Sequence, residues 1–303
     1  MTFSVIIPCF NAASFLDSCL QPFLTASFSE EDFEVILIND GSLDATEEKI
    51  KYYAKNYSFV RGYSQDNEGV SVARNVGISK AKGRYLLFLD ADDAYLPTVF
   101  QELLAHIKDA TVEVVEFDYS FLNARTPAMV KDNLIKKNGF VHYIENAQVN
   151  SACNKLYKKA FLLEYEISFD DRFAIGEDLF FNIKVFSKAK NVISISEKLL
   201  IINRNENSVT RAKILAKEML VVSDLTAILI LAFSKLNSAT NGLEKEYYLK
   251  HAIKISKTIL YSALKMRLLF KSKNAESASF FATISKNKRT SYWFRLINIF
   301  RFL

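Results

Sequence analysis

Apolar positions fall into two patterns along the chain, short unbroken runs and helically spaced sets, and near the N-terminus the two alternate. Phe3 to Pro8 and Phe33 to Asn39 are β-branched runs with little polar alternation, the pattern of strands covered on both faces. Between them Ala13 to Phe23 carries apolar residues at helical spacing. Asp44 to Lys55 follows, with Asp44 as the helix start and acids in the first turn, where the positive end of the helix dipole favours them. A strand over Val60 to Tyr63, a helix over Val70 to Ala81 and a strand over Tyr85 to Leu89 extend the alternation. Strand–helix repetition of this kind predicts an open α/β sheet.

After a further strand, Val112 to Asp118, the pattern becomes mixed, with short strands over Val192 to Ile195 and Leu199 to Asn203. From Ala212 the chain reads as helical, in the segments Ala212 to Leu236, Leu243 to Phe270 and Tyr292 to Leu303. The predicted division is an α/β domain over 1–211, itself split at about residue 118, and a helical appendage over 212–303. The most apolar later window, Met219 to Phe233, contains Asp224 and is too short and polar to span a bilayer, so it reads as a buried helix.

Composition supports a globular protein: of 303 residues 50% are hydrophobic and 24% charged, with 8 Gly and 4 Pro, which excludes disordered and collagen-like classes. Cys9, Cys19 and Cys153 have no CxxC spacing, which argues against a zinc site or a disulfide framework and for reduced thiols in a cytosol. The N-terminus lacks a secretory signal pattern, and a cytoplasmic protein is expected. A net charge of +5 hides an asymmetry: residues 250–303 carry +11 and residues 1–249 carry −6. A basic end of this kind meets nucleic acid or an anionic membrane.

In an open α/β sheet ligands bind at the carboxyl ends of strands, and here those ends are acidic. The second strand runs into Asn39-Asp40-Gly41-Ser42 and the fourth into Asp90-Ala91-Asp92-Asp93, while Glu177-Asp178 follows Gly176. Carboxylates packed together repel unless a cation sits among them. A divalent metal, Mg2+ or Mn2+, completed by a substrate's phosphates accounts for them. The plainer alternatives are that Asp92 or Asp93 caps a helix starting near Tyr95 and that Glu177-Asp178 caps a helix from Leu179 to Ser187. No GxGxxG, Walker loop or GxSxG elbow occurs, which removes the Rossmann dehydrogenases, P-loop enzymes and α/β-hydrolases. Ala94 stands where an aspartate-nucleophile phosphatase needs Thr or Val, and Cys9-Phe10-Asn11-Ala12 is not the Gly-rich loop of a sugar nucleotidyltransferase.

Five strings in order, Ser4 through Asn11, Asn39 through Ser42, Asn67-Glu68-Gly69 with Ala73-Arg74-Asn75, Gly83 through Asp93, and Gly176-Glu177-Asp178, resemble the family 2 glycosyltransferases over about residues 3 to 210. The resemblance implies a GT-A type fold, with a nucleotide-sugar half over about 1–118 and an acceptor half over about 119–211. It implies inverting transfer from a nucleoside-diphosphate sugar, a UDP-sugar for preference, to a glycan or lipid-linked acceptor. By position, Asp40 with Pro8, Asn11, Gly41 and Ser42 would hold the nucleoside. Arg74 would contact the base or a site carboxylate, Asp90 the ribose side and the metal, and Asp92 the metal, Mn2+ or Mg2+. Asp178 would be the general base with Glu177 beside it, and Arg204 would meet a phosphate. The segment Asn154 to Lys158 resembles the family's stretch ahead of the base, with Cys153 where a Trp is usual, and Asn203 replaces the usual Tyr before Arg204. A non-catalytic sugar-nucleotide-binding module is the competing class; intact Asp40, Asp92 and Asp178 speak against it.

At the end of the chain Trp293, Phe294, Phe300 and Phe302 alternate with Arg295 and Arg301, downstream of Lys286, Lys288 and Arg289. That segment either lies in an anionic bilayer surface at the inner membrane face, meeting a lipid-linked acceptor, or packs on the helical appendage. Nucleic-acid binding is not expected, since no recognisable binding fold accompanies the charge. The appendage also offers a surface for a homodimer.

Overall fold

The run Phe3–Cys9 is strand β1, shielded from solvent at nearly every position, as an unbroken apolar sequence predicts for a central strand. The structure, a computed structural model, describes residues 1–25, 28–29, 32–123, 130, 133–145, 150–203 and 214–271. β1 pairs in parallel with β2 (Phe33–Asp40), from Phe3↔Phe33 to Cys9↔Asn39, and β2 pairs in parallel with β3 (Val60–Gln65). On its other side β1 pairs in parallel with β4 (Tyr85–Phe88). Helices α1 (Leu16–Leu24), α2 (Thr46–Asn56) and α3 (Val70–Lys80) make the crossovers. Asp44 stands just ahead of α2, its Oδ1 accepting from Thr46 N at 3.0 Å.

Past β4 the sheet becomes mixed. β5 (Ala94–Tyr95) and α4 (Val99–His106) follow, so the predicted helix start near Tyr95 is displaced by a short strand antiparallel to β9 (Val192–Ile202). β6 (Val114–Phe121) runs parallel to β9, and β7 (Asn133–Lys137) antiparallel to it. After α5 (Gly139–Glu145), β8 (Lys155–Lys158) inserts antiparallel between β4 and β6. Helices α6 (Lys159–Glu164) and α7 (Glu177–Lys188) lead into β9, one continuous strand where two short ones are predicted. Among the described residues the sheet has nine strands, ordered β3-β2-β1-β4-β8-β6-β9-β5 with β7 also on β9.

Rings knit the sheet to the helix layer. Phe100 of α4 lies 4.6 Å from Phe33 and 5.1 Å from Phe3, centroid to centroid. Full burial of such side chains stabilises by roughly 1.5–3 kcal/mol each.

The helical appendage is α8 (Ile214–Ser238) and α9 (Gly242–Lys271), which pack along each other and against α5 and α7. Tyr247 donates its hydroxyl to Ile183 O at 2.9 Å, and Tyr143 stacks on His251 at 3.9 Å. α8 is two-faced rather than buried throughout: Leu225, Ile228 and Ala232 face inward while Ile230 is exposed, because only one side of the helix meets α9 and the turn before α7. Among the described residues no helix is long and apolar enough to cross a membrane.

Gly77 sets how closely α3 lies on the sheet. A Cβ there would come within 2.2 Å of Ile6 Cγ2. In a helix open to solvent, Gly→Ala gains about 1 kcal/mol from propensity. Here overpacking costs about 1–3 kcal/mol, so Gly77→Ala is expected to lower stability on urea unfolding. A stabilised variant would mean that α3 does not approach so closely.

Candidate active site

The chain builds β1, β2 and β3 outward and then returns to lay β4 on the far side of β1. Such a reversal opens a crevice at the carboxyl ends of β1 and β4, and the acidic strings predicted from sequence collect around it.

After β1, Asn11 takes a left-handed φ of 49°, its N–H donating to Ser42 Oγ at 3.0 Å and its Oδ1 accepting from Leu43 N at 2.8 Å. Ser42 N donates to Asn39 Oδ1 at 3.1 Å, and Gly41 sits at φ 69°. A side chain at Gly41 would press on Asn67 N at 2.7 Å. The ends of β1 and β2, with Pro8 half-buried beside them, are therefore locked to each other. Asp40 is buried and has a role that the sequence reading does not foresee. Its Oδ1 accepts from Glu68 N and Gln65 Nε2, both at 2.9 Å, and its Oδ2 from Gly69 N at 3.0 Å, which fixes the turn entering α3.

That turn aims Arg74. Its side chain is 3% exposed: Nη2 donates to Asp90 Oδ1 at 2.8 Å, and Nη1 to Asp178 Oδ1 at 2.8 Å and to Glu177 Oε1 at 3.3 Å. It also lies 5.0 Å from the centroid of the Phe169 ring. Of the two expected contacts for Arg74, base or carboxylate, the structure has the carboxylates. Asn75 clamps Phe169 by donating Nδ2 to its carbonyl and accepting from its N–H, each at 2.9 Å. This explains an Asn quoted in the motif but assigned no part there.

Gly176, at φ 88°, ends the turn before α7 and puts Glu177 and Asp178 in its first turn. Neither caps the helix through its side chain. Asp178 Oδ2 instead accepts from Ala152 N at 2.9 Å. Burial raises both carboxyls, Glu177 up to about 7 with Asp178's charge adding, while Arg74 pulls the other way. Both acids line a cavity of about 200 Å³. Behind them, buried Lys155 donates Nζ to Ser151 O at 2.8 Å and pairs with Glu116 at 3.2 Å, and Glu116 meets His142 at 2.8 Å. Cys153, where the family pattern has Trp, is buried and its carbonyl accepts from Tyr95 Oη at 2.6 Å.

At the turn after β4, Asp90 faces Arg74, Asp92 is half-buried, and Asp93 turns away so that its Oδ1 accepts from Asn203 N at 2.8 Å. Asp93 thus ties this turn to the end of β9 and caps no helix. Burial, with Asp90's charge next, lifts the Asp92 carboxyl and pushes Asp93 up to about 8. A hard cation relieves such crowding. Among the described residues no three His, Cys, Asp or Glu groups gather as a metal cage. The donor set instead suits an ion that takes one or two carboxylates, here Asp90 and Asp92, and completes its shell with phosphates and water. Arg204 and the aromatic, basic segment from Lys286 to Phe302 lie outside the described residues.

Residues 4–165 match the family model for glycosyl transferase family 2. Among curated proteins the chain is similar to the uncharacterized glycosyltransferase EpsJ of Bacillus subtilis (strain 168), 30% identical over 216 residues, covering 68% of this chain and 62% of that protein. It therefore spans about three fifths of that relative's length. Among solved structures it superposes on S. aureus TarS 1–349 in complex with UDP-GlcNAc with a TM-score of 0.65 at 19% identity, covering 86% of this chain and 82% of that one. The mannosyltransferase PcManGT from Pyrobaculum calidifontis, in complex with GDP-Man and Mn2+, gives 0.61 at 14% identity, covering 96% and 82%. Both structures share the GT-A fold expected from the sequence.

Removing the central cation strands partly buried carboxylates. Arg74→Met is expected to cost roughly 3–5 kcal/mol, the usual penalty for breaking a buried pair from one side. In the variant the folded carboxyls hold their protons more tightly than the unfolded ones, so its stability falls as pH rises through the carboxylate range. The gap to wild type in urea unfolding should widen from pH 5 to pH 8. A gap independent of pH would show that the pairing is not electrostatic.

Proposed function

The chain belongs to glycosyl transferase family 2, and on that premise we propose that it is an inverting, metal-dependent hexosyl- or N-acetylhexosaminyltransferase that uses a UDP-sugar. Its acceptor is a glycan in capsule, lipooligosaccharide or exopolysaccharide synthesis, presented on a lipid at the cytoplasmic face of the membrane. The observation that carries this reading is the meeting of Asp90, Glu177 and Asp178 on Arg74, which joins the strand end suited to a diphosphate with the acid pair suited to an acceptor. The TarS complex with UDP-GlcNAc and the mannosyltransferase complex with GDP-Man and Mn2+ support the donor class and the cofactor.

In this reading Pro8, Asn11, Asp40, Gly41 and Ser42 form the nucleoside side, with Asp90 toward the ribose. Asp92, with Asp90, would hold Mn2+ or Mg2+, which supplies positive charge to the departing diphosphate. Arg204 is the further phosphate contact. Asp178 takes the proton of the acceptor hydroxyl while that oxygen bonds to the anomeric carbon. The bond from this carbon to the diphosphate oxygen breaks, and the nucleoside diphosphate leaves with the electron pair. Each Asp178 oxygen accepts one hydrogen bond in the structure, and a carboxylate oxygen has a second lone pair for that proton. Glu177 orients Asp178 and binds acceptor.

The test is nucleoside diphosphate release from a panel of UDP-, GDP- and dTDP-sugars with crude glycan acceptor, with Mn2+, Mg2+ or EDTA. One donor should turn over only with metal. Asp178→Asn should lower the rate by roughly 10²- to 10⁴-fold with the fold intact, and Asp92→Ala should remove the metal-stimulated rate. Unchanged turnover in a folded Asp178→Asn variant would dismiss this base.

A further inference from the structure

The cavity lined by Glu177, Asp178 and Ser151 also takes part of its wall from the appendage, where Lys254 and Thr258 stand one turn apart on α9 and Leu225 comes from α8. The family match ends at residue 165, so this wall is supplied by helices outside the matched region.

Two contacts tie the appendage to the acid pair. Asp224, the one acid in the apolar stretch Met219 to Phe233, accepts from Ala174 N at 2.9 Å and Ile175 N at 3.0 Å with the same oxygen. It fixes the turn that ends in Gly176. A Cβ at Gly176 would come 3.0 Å from both Leu225 Cδ2 and Ile228 Cδ1, so α8 lies directly on that turn. Lys254 in turn donates Nζ to Asn150 Oδ1 at 3.1 Å, on the segment that continues to Ala152 and its hydrogen bond with Asp178. Burial and the neighbouring charge of Lys155 weaken the hold of Lys254 on its proton, against the pull of Glu116. Added negative charge beside it would stabilise the ammonium form.

We propose that this cavity is the acceptor subsite and that α9 reads an anionic group on the acceptor, a phosphate or a carboxylate, through Lys254, while Glu177 and Asp178 face the hydroxyl to be glycosylated. The roles of the acid pair rest on the glycosyltransferase reading; the anion contact at Lys254 is independent of it. The +11 charge of residues 250–303, which begin within α9, suits an acceptor that carries negative charge.

The test is a ligand-observed NMR titration of the full chain, saturated with UDP and Mg2+ to fill the donor side, using glycerol 3-phosphate, glycerate and glycerol as probes. At least one anion should bind more tightly than glycerol, by roughly tenfold, the worth of a charge-assisted hydrogen bond. Which anion binds distinguishes phosphate from carboxylate. Lys254→Gln should lose that preference, and Lys254→Arg should keep it. UDP affinity should be the same in all three proteins. Equal binding of glycerol and both anions, or an anion preference untouched by Lys254→Gln, would overturn the proposal. Failure of UDP to bind would instead count against the nucleotide-sugar reading and leave the Lys254 comparison decisive for the anion site.

Discussion

A single guanidinium shared by three carboxylates is the constraint on which this site depends. A buried arginine is costly unless its N–H groups are met by acceptors, and three carboxylates drawn from two distant elements repel unless a cation lies between them. Arg74 and the set Asp90, Glu177 and Asp178 therefore each require the other. Several features elsewhere serve that geometry. Asp40 holds the turn that starts α3, Gly77 lets α3 lie close on β1, and Asn75 fixes Phe169, over whose ring the guanidinium lies. This chain of contacts links the strand end to the acid pair.

The appendage belongs to the same arrangement. Asp224 holds the turn ahead of Gly176, and Tyr247 and His251 pin α9 to α7 and α5. The helices after residue 213 thus lie against the acid pair instead of hanging from the α/β domain.

The first half of the fold is legible in the sequence because buried parallel strands leave apolar runs with little polar alternation, as in Val5–Cys9 within β1 and Val35–Ile38 within β2. The later half was less so. β5, β7 and β8 are two to five residues long, too short for periodicity to declare them. For the site, spacing and motif order indicated which residues gather and not which pair. Arg74 was assigned to a base or a carboxylate, and only the fold shows it holding acids from both sides of the crevice. A helix cap by Asp92 or Asp93 is the plainer alternative in the sequence, yet Asp93 accepts from Asn203 N, a contact spanning 110 residues. Asp224 looked like a polar interruption and Lys254 had no motif at all, since their meaning lies in tertiary neighbours. The division at residue 211 and the parts given to Arg204 and to the aromatic end fall on or next to residues beyond those described.

The most direct measurement is a crystal structure of the chain with UDP and Mn2+. Nucleoside is expected against the ends of β1 and β2, with Asp92 among the groups that would hold the metal and Arg74 still holding Asp90, Glu177 and Asp178 together. Nucleotide bound away from this crevice, or metal bound without Asp92, would contradict it.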